Sequence, residues 1–190
     1  MTLKQLIADL NVLANPEKAK FVAGYFKTGK GQYGEGDVFL GLTVPAQRKI
    51  AKKYLNLTLL DLEKLIHNKI HEHRLTGLMI LYKKFNKAQE KERKKIYKFY
   101  LKNTKWVNNW DLVDLSAREI IGGYLLDKNR KILYKLAKSN NLWERRIAVI
   151  STFAFIRNRD FKDTLKIAEI LLHDKHDLIH KAVGWMLREI

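Results

Sequence analysis

The sequence predicts an all-α protein whose helices stack in pairs as an α-solenoid. Apolar residues recur at helical spacing along most of the chain, and no stretch alternates apolar and polar residues convincingly over about four or more positions. Only two prolines occur, Pro16 and Pro45, and both stand where a helix can begin. These observations predict about ten to twelve helices and no β-sheet.

Each predicted helix is supported by its own local pattern. Asn15, Pro16 and Glu17 supply an N-cap, a first-turn proline and an acidic first turn for an early helix. Short polar joints are expected at residues 138–141 and 157–160. The helical spacing itself runs through residues 3–10, 59–66, 75–82, 96–101, 112–120, 147–154, 165–172 and 178–186.

A repeat of about 35 to 40 residues indicates a HEAT-like or armadillo-type arrangement. Trp110 and Arg146 are 36 residues apart, and Arg146 and Trp185 are 39 residues apart. If the inner helix of each pair carries one of these markers, all three residues face one concave groove. The plainer alternative is that each repeat needs a large residue to fill its core. On either interpretation, residues 1–190 are expected to form a single domain.

Charge and composition restrict the partners of this chain. It has 37 Lys and Arg against 20 Asp and Glu, a net charge of +17, and 46% of its residues are apolar. A folded, strongly basic protein of this kind is expected to bind a polyanion, with nucleic acid as the first partner to consider. No apolar run reaches the roughly 18 residues of a membrane-spanning helix, and the N-terminus carries no export signal. We therefore expect a monomer in the cytoplasm, associated with the nucleoid and without membrane contact.

The residue types present also limit the chemistry. The chain has no cysteine, which excludes disulfides, thiol nucleophiles and Cys-ligated zinc. His173, His176 and His180 fall at i, i+3 and i+7, a spacing that can place all three on one helical face. No carboxylate completes that set and lysines flank it, so we predict no metal and no other cofactor.

A glycine-rich stretch at residues 29–37 satisfies the pattern GxGxxG. We reject a dinucleotide site because the motif follows a helical stretch, whereas the fingerprint requires a strand that turns into a helix. A plain surface loop is the simpler interpretation. The alternative is that backbone amides and Lys30 lie against a phosphate backbone.

The segment 106–116 carries the most informative pair. Trp110 and Asp114 are at i and i+4, so they lie on one helix face and can meet the same ligand. The structural alternative is that Asp114 caps a turn or pairs with a cation while Trp110 packs inside. Further along, Arg145 and Arg146 are adjacent and face directions about 100° apart, so at most one of them shares a groove with Trp110.

Together these residues make the chain similar to the AlkD-type DNA alkylation repair family over nearly its whole length. The resemblance implies a HEAT-like solenoid whose concave, basic surface cradles double-stranded DNA. The motifs that carry it are Asn15-Pro-Glu-Lys-Ala19 followed by Tyr25, Phe39-Leu-Gly41 with Pro45 and Arg48, Trp110-x-x-x-Asp114, Trp143-x-x-Arg146, and His180-Lys-Ala-Val-Gly-Trp185-x-Leu-Arg-Glu189.

The resemblance also implies a function, the removal of alkylated bases from duplex DNA by a glycosylase. Trp110, Asp114 and Trp185 are then expected to carry catalysis. Arg146 is expected to contact the backbone beside the lesion, and Tyr25 to support the site. Further DNA contacts are expected from Arg145, Arg48 and Lys30. Relatives continue beyond the helix in which this chain stops at Ile190, so we expect a truncated or shortened member.

The proposed chemistry fits a site with one carboxylate. A purine alkylated at N3 or N7 carries positive charge and leaves without a general acid, and the carboxylate then stabilises the oxocarbenium-like sugar and positions water. Glycosidases that act on neutral sugars usually need two carboxylates. Two alternatives remain: a non-catalytic HEAT-like module that binds DNA or RNA through charge, and a protein-interaction scaffold.

Overall fold

A computed structural model describes all of residues 1–190 and shows a protein of twelve α-helices with no β-strand. The only strand-like pairing is an isolated parallel bridge between Val38 and Ile70. The all-α, helical-repeat class predicted from the sequence is confirmed. No helix is both long enough and apolar enough to cross a membrane.

The chain groups into two compact units, Met1–Lys87 and Ala88–Ile190. Each unit has its own buried apolar side chains, with Leu62 and Leu78 fully buried in the first unit and Leu112 and Ile147 in the second. The expectation of a single domain stays a prediction.

The first unit contains five helices. In it, α5 packs against both α3 and α4, and α1 packs against α3. In chain order the helices are α1 (Leu3–Val12), α2 (Pro16–Tyr25), α3 (Val44–Lys53), α4 (Leu59–Ile66) and α5 (His71–Lys87).

Local signals set the start of α2 as the sequence predicts. The Asn15 side chain accepts a hydrogen bond from the backbone N–H of Lys18 at 2.9 Å, and Pro16 occupies the first helical position. This satisfies one of the donors that a helix leaves unpaired at its N-terminus. The start of α3 is similar, because the Thr43 side chain caps it and Pro45 lies in its first turn.

A buried carboxylate fixes the segment that precedes α3. Glu72 accepts hydrogen bonds from the backbone N–H groups of Leu40, Gly41 and Leu42 at 2.9, 2.8 and 3.2 Å. Gly41 has φ +80°, and a Cβ atom there would lie 2.3 Å from the carbonyl oxygen of Asn15. Only glycine therefore fits between Glu72 and the start of α2.

The second unit contains seven α-helices and two short irregular helical segments. A 3-10 turn covers Thr104–Trp106 and a π-helical segment covers Arg118–Gly122. The α-helices are α6 (Glu90–Lys102), α7 (Trp110–Ala117), α8 (Lys131–Ala137), α9 (Leu142–Ser151), α10 (Phe153–Ile156), α11 (Lys162–Ile170) and α12 (Asp177–Arg188).

Helix α9 lies in the middle of the second unit, where it packs against α7, α8 and α12. Seven of its ten residues are buried. The predicted polar joints are confirmed, since residues 138–141 connect α8 to α9 and residues 157–160 follow α10.

The predicted helix at 147–154 is interrupted in the structure. Helix α9 ends at Ser151 and α10 begins at Phe153, with the Thr152 hydroxyl donating to the Val149 carbonyl at 2.7 Å. A threonine that bonds to its own helix in this way competes with the regular helical pattern. The break places Phe153 at the start of a new short helix.

Candidate functional site

Asp114 and Arg146 form a two-pronged ion pair between α7 and α9. The Nε and Nη2 atoms of Arg146 donate to Oδ1 and Oδ2 of Asp114, each at 2.8 Å. The two side chains are 19% and 6% exposed, respectively. Such a fork between a guanidinium and a carboxylate is both strong and directional, so it fixes the plane of the carboxylate.

Arg146 also reaches the third helix of this group. Its Nη1 atom donates to the backbone carbonyl of Leu178, in the first turn of α12. Arg146 lies 32 residues from Asp114 and 32 residues from Leu178. One side chain thus connects α7, α9 and α12 at a constant step along the sequence. That step is shorter than the repeat of about 35 to 40 residues that the marker residues indicated.

The surroundings of Asp114 disfavour the ionised form of its carboxyl group. Burial raises the pKa of Asp114 above its usual value of 3.8, and the nearby Asp111 adds to the rise. The hydrogen bonds and charge of Arg146, together with the charge of Arg118, lower that pKa and partly offset burial. The carboxylate is therefore held by cations in a place where water solvates it poorly.

Trp110 begins the same helix, one turn before Asp114. The Asn109 side chain caps α7 by accepting the backbone N–H of Trp110 at 2.8 Å. Trp110 is partly exposed, so it is not a simple core residue. Asp114 does pair with an arginine, as the structural alternative required, but Trp110 does not pack fully inside as that alternative also required.

Trp185 lies on α12, seven residues beyond Leu178. It is partly exposed, and its Nε1 atom donates to the Glu189 carboxylate at 3.0 Å. Its ring centroid is 6.1 Å from that of Phe153. Both predicted tryptophans are therefore on helices that Arg146 connects, with part of each side chain open to a ligand.

Two arginines lie near the ring of Phe153, which in turn lies beside Trp185. The Cζ atoms of Arg118 and Arg157 lie 5.3 and 6.0 Å from the centroid of the Phe153 ring. Arg118 is one helical turn after Asp114, at the start of the π-helical segment. We call Arg118, Phe153, Arg157 and Trp185 the Phe153 cluster.

The π-helical segment is held against α9 by a close backbone approach. A Cβ atom on Gly122 would lie 2.2 Å from the carbonyl oxygen of Ser151 and 2.8 Å from the Cβ of Ala154. Short π-helical segments within a helix occur frequently at functional sites. Here the segment carries Arg118 at its first residue.

Arg145 points away from this site, as its position next to Arg146 on a helix requires. Its guanidinium donates to the Asp174 carboxylate at 2.6 and 3.3 Å. It also donates to the carbonyls of Ser139 and Asn140 at 3.0 and 3.1 Å. These contacts join the turn before α9 to the turn before α12. For Arg145 to bind DNA as predicted, its guanidinium would have to give up some of these hydrogen bonds or bind a phosphate in addition to them.

The remaining predicted DNA contacts belong to the first unit. Tyr25 is the last residue of α2, is 61% exposed and meets the ring of Phe26 edge-on at 5.4 Å. Arg48 is exposed on α3, and Lys30 is exposed in the turn-rich segment that follows α2. Their roles in binding DNA stay predictions.

The three histidines that could share one helical face by their spacing do not lie on one helix. Helix α12 begins at Asp177 with His176 as its N-cap, and His173 lies in the turn before it. The Asp174 side chain accepts the backbone N–H of His176 at 2.9 Å, which turns the chain there. No group of three or more potential ligand side chains is gathered in a way that could hold a metal ion.

Sequence reasoning did not single out Arg118 or Phe153. The spacing contained a signal for Arg118, because Trp110, Asp114 and Arg118 follow one another at i, i+4 and i+8. Phe153 had no such signal, since it meets Arg118 and Trp185 only through the packing of separate helices.

Comparison with known proteins gives one family. Curated proteins yield no match to this chain. Among solved structures, the chain is similar to a predicted DNA alkylation repair enzyme from Enterococcus faecalis, with a TM-score of 0.66 and 19% identity over 93% of this chain and 82% of that one. At this identity the likeness establishes the fold. The sequence model of the DNA alkylation repair enzyme family matches residues 6–190, and the chain therefore belongs to that family.

Proposed function

We propose that this DNA repair protein is a glycosylase that hydrolyses the N-glycosidic bond of cationic N3- or N7-alkylated purines in duplex DNA. The observation that carries the proposal is the Asp114 carboxylate. It is largely withdrawn from water and held rigidly by Arg146, one helical turn from the partly exposed Trp110.

The orientation of Asp114 suits a developing sugar cation. Each carboxylate oxygen accepts one N–H from Arg146, which leaves a further lone pair on each oxygen. A fixed negative charge in a poorly hydrated place stabilises positive charge that forms in the transition state, with little reorganisation. The free lone pairs also allow Asp114 to orient the attacking water or accept its proton.

The two indoles would act on the same charge. The face of an indole attracts a cation by about 0.5 to 2 kcal/mol, depending on how well water is excluded. In our proposal, Trp110 and Trp185 flank the deoxyribose. Both keep exposed surface for such a contact.

Arg146 is proposed to position Asp114 and to contact the DNA backbone. A guanidinium has five N–H donors, and the bonds to Asp114 and Leu178 use three of them. The other two N–H groups are the ones that would reach a phosphate. DNA as the substrate also agrees with the net charge of +17.

Base release from DNA containing 7-methylguanine or 3-methyladenine tests the proposal directly. We expect release by the wild type and a loss of about 10²- to 10⁴-fold in the single-turnover rate for Asp114→Asn. Asp111→Asn is the matched control, because Asp111 lies on the same helix, and an asparagine side chain can still accept the hydrogen bond from the backbone N–H of Leu112. It should release base at close to the wild-type rate.

A non-catalytic nucleic-acid-binding module is the second candidate. The Asp114–Arg146 pair favours it, since an ion pair of this kind also holds helices together without any chemistry. Thermal melting of Asp114→Asn shows whether lost activity is only lost folding. Salt-sensitive DNA binding by a well-folded wild type that releases no base would establish this second function instead.

A further inference from the structure

The Phe153 cluster brings two guanidinium groups to one aromatic ring beside Trp185. Arg118 and Arg157 approach the ring at 5.3 and 6.0 Å, and Trp185 approaches it at 6.1 Å. The ring face attracts the cations and so limits the directions in which they point. Phe153 is itself partly exposed, so the cluster is on the surface of the second unit.

These two arginines differ from the other arginines near the site in what their N–H groups bind. Arg145 and Arg146 spend most of their donors on carboxylates and backbone carbonyls. Arg118 has one carboxylate contact, from Nε to the adjacent Glu119 at 3.5 Å, and its side chain is 34% exposed. The guanidinium of Arg157 is exposed and makes no ion pair or hydrogen bond.

A guanidinium with a free outer edge is suited to phosphate. Its planar fork matches two phosphate oxygens at once, and a cation–π contact with an aromatic ring restrains the guanidinium before the ligand arrives. Two such groups on one ring concentrate positive charge, and the Glu119 carboxylate approaches Arg118 at its inner nitrogen, Nε, at 3.5 Å. Arg118 is also one helical turn from Asp114, so a bound phosphate would lie close to the proposed reaction centre.

We propose that Arg118 and Arg157 bind backbone phosphates of duplex DNA and hold the damaged strand beside Trp185. This inference rests on the proposed DNA substrate, and it adds phosphate contacts by Arg118 and Arg157 to the one proposed above for Arg146. Phe153 acts as the platform for both guanidinium groups, and Trp185 then faces a strand whose position is already fixed.

The first test measures how DNA affinity depends on salt. Each lost phosphate contact should reduce the slope of log affinity against log salt by about 0.9, so Arg118→Gln and Arg157→Gln should each flatten it by that amount and the double variant by about twice as much. Arg159→Gln is the matched control, since Arg159 is exposed and lies two residues from Arg157, whereas the cation–π contacts of the Phe153 ring are with Arg118 and Arg157. Equal flattening in this control would overturn the proposal in favour of a diffuse basic surface.

The second test identifies the phosphates. Duplexes carrying one neutral methylphosphonate linkage at a time are bound by the wild type and by the double variant. We expect a neutral linkage at one or two positions next to the lesion to weaken binding by the wild type, and the same linkages to cause no further loss of affinity in the double variant. If the loss from the neutral linkage and the loss from the double substitution add at every position, these arginines do not touch those phosphates.

Phe153→Leu separates positioning from charge. It keeps both arginines and removes the ring, so binding should weaken while the melting temperature and the net charge stay close to those of the wild type. Unchanged affinity would show that the ring has no such role. Base release is measured separately. If the arginine variants change the effect of the neutral linkages but the wild type releases no base, the role of the cluster is supported and the glycosylase proposal is refuted. If base is released but the arginine variants do not change the effect of the neutral linkages, the glycosylase proposal is supported and the role of the cluster is refuted.

Discussion

At the scale of single residues, the contact between Asp114 and Arg146 joins two charges that are mostly out of water. Their bidentate geometry offsets the desolvation of both groups, whereas removal of one partner would leave a buried, uncompensated charge. The same contact adjusts the proton affinity of Asp114, because Arg146 lowers a pKa that burial raises.

This balance predicts the pH dependence of base release. The reaction needs the ionised carboxylate, so the rate should fall as pH drops through the pKa of Asp114, which lies above 3.8. Arg146→Gln removes the cation that lowers this pKa, and the acid limb of the single-turnover rate should therefore move to higher pH. Arg145→Gln removes the ion-pair partner of Asp174 instead, so it should leave the acid limb of the rate at the same pH. A limb that stays fixed in Arg146→Gln would refute the role of Asp114 as the titrating group.

His73 provides a second pH dependence, this time of stability. It is 2% exposed, neither ring nitrogen has a hydrogen-bond partner, and burial lowers its pKa from 6.5. Because the unfolded chain binds the proton more readily, the stability contributed by neutral His73 is fully present above about pH 6.5 and is lost as the pH falls towards its folded pKa.

Replacement of His73 tests this directly. Melting temperatures measured at about pH 7.5 and about pH 5.5 should differ less in His73→Leu than in the wild type. His173→Gln changes an exposed histidine and should behave as the wild type does. An equal drop in all three proteins would assign the acid sensitivity to other groups.

At the scale of helices, the π-helical segment depends on glycine. A Cβ atom on Gly122 would lie 2.2 Å from the carbonyl oxygen of Ser151, so Gly122→Ala must push the π-helical segment away from α9. Overpacking of this kind costs about 1 to 3 kcal/mol of unfolding free energy, and here it would also displace Arg118.

A matched glycine is available for comparison. Gly184 is in α12 with nothing within 4 Å of its Cβ position, so Gly184→Ala should be stabilising by about 0.5 to 1 kcal/mol. Urea denaturation of both variants measures the contrast. Similar stability for the two variants would mean that the backbone around Gly122 can relax, and that the segment is not fixed by close packing.

At the scale of the whole molecule, the net charge of +17 predicts strong binding to any duplex, damaged or not. Affinity for undamaged DNA should fall steeply with salt, by about 10³- to 10⁵-fold between about 50 and 200 mM if six to ten phosphates are contacted. The single-turnover rate of base release at saturating protein should change little over the same range, because Asp114 acts from a place that is only 19% exposed. A rate that falls as steeply as affinity would show that salt acts on the chemistry.

Local patterns predicted those parts of the protein that depend on residues close in sequence. Helical spacing identified the all-α class, Asn15 and Pro16 marked the start of α2, and the i, i+4 step placed Trp110 and Asp114 on one face of α7. Each of these follows from contacts within about one helical turn, which a sequence displays directly.

Only the tertiary structure decided which distant residues meet. Arg146 lies 32 residues from Asp114, and its pairing depends on how α7 and α9 pack, as does the approach of Arg118 to Phe153. The same limit applies to His173, because the Asp174 side chain accepts the backbone N–H of His176 and the chain turns there before α12 begins. The sequence by itself thus determined the helices, the charge and the pair on α7. The packing of helices determined which arginine holds Asp114 and which arginines keep N–H donors for a ligand. The reason is that the direction of a side chain between helices is set by its neighbours across the interface.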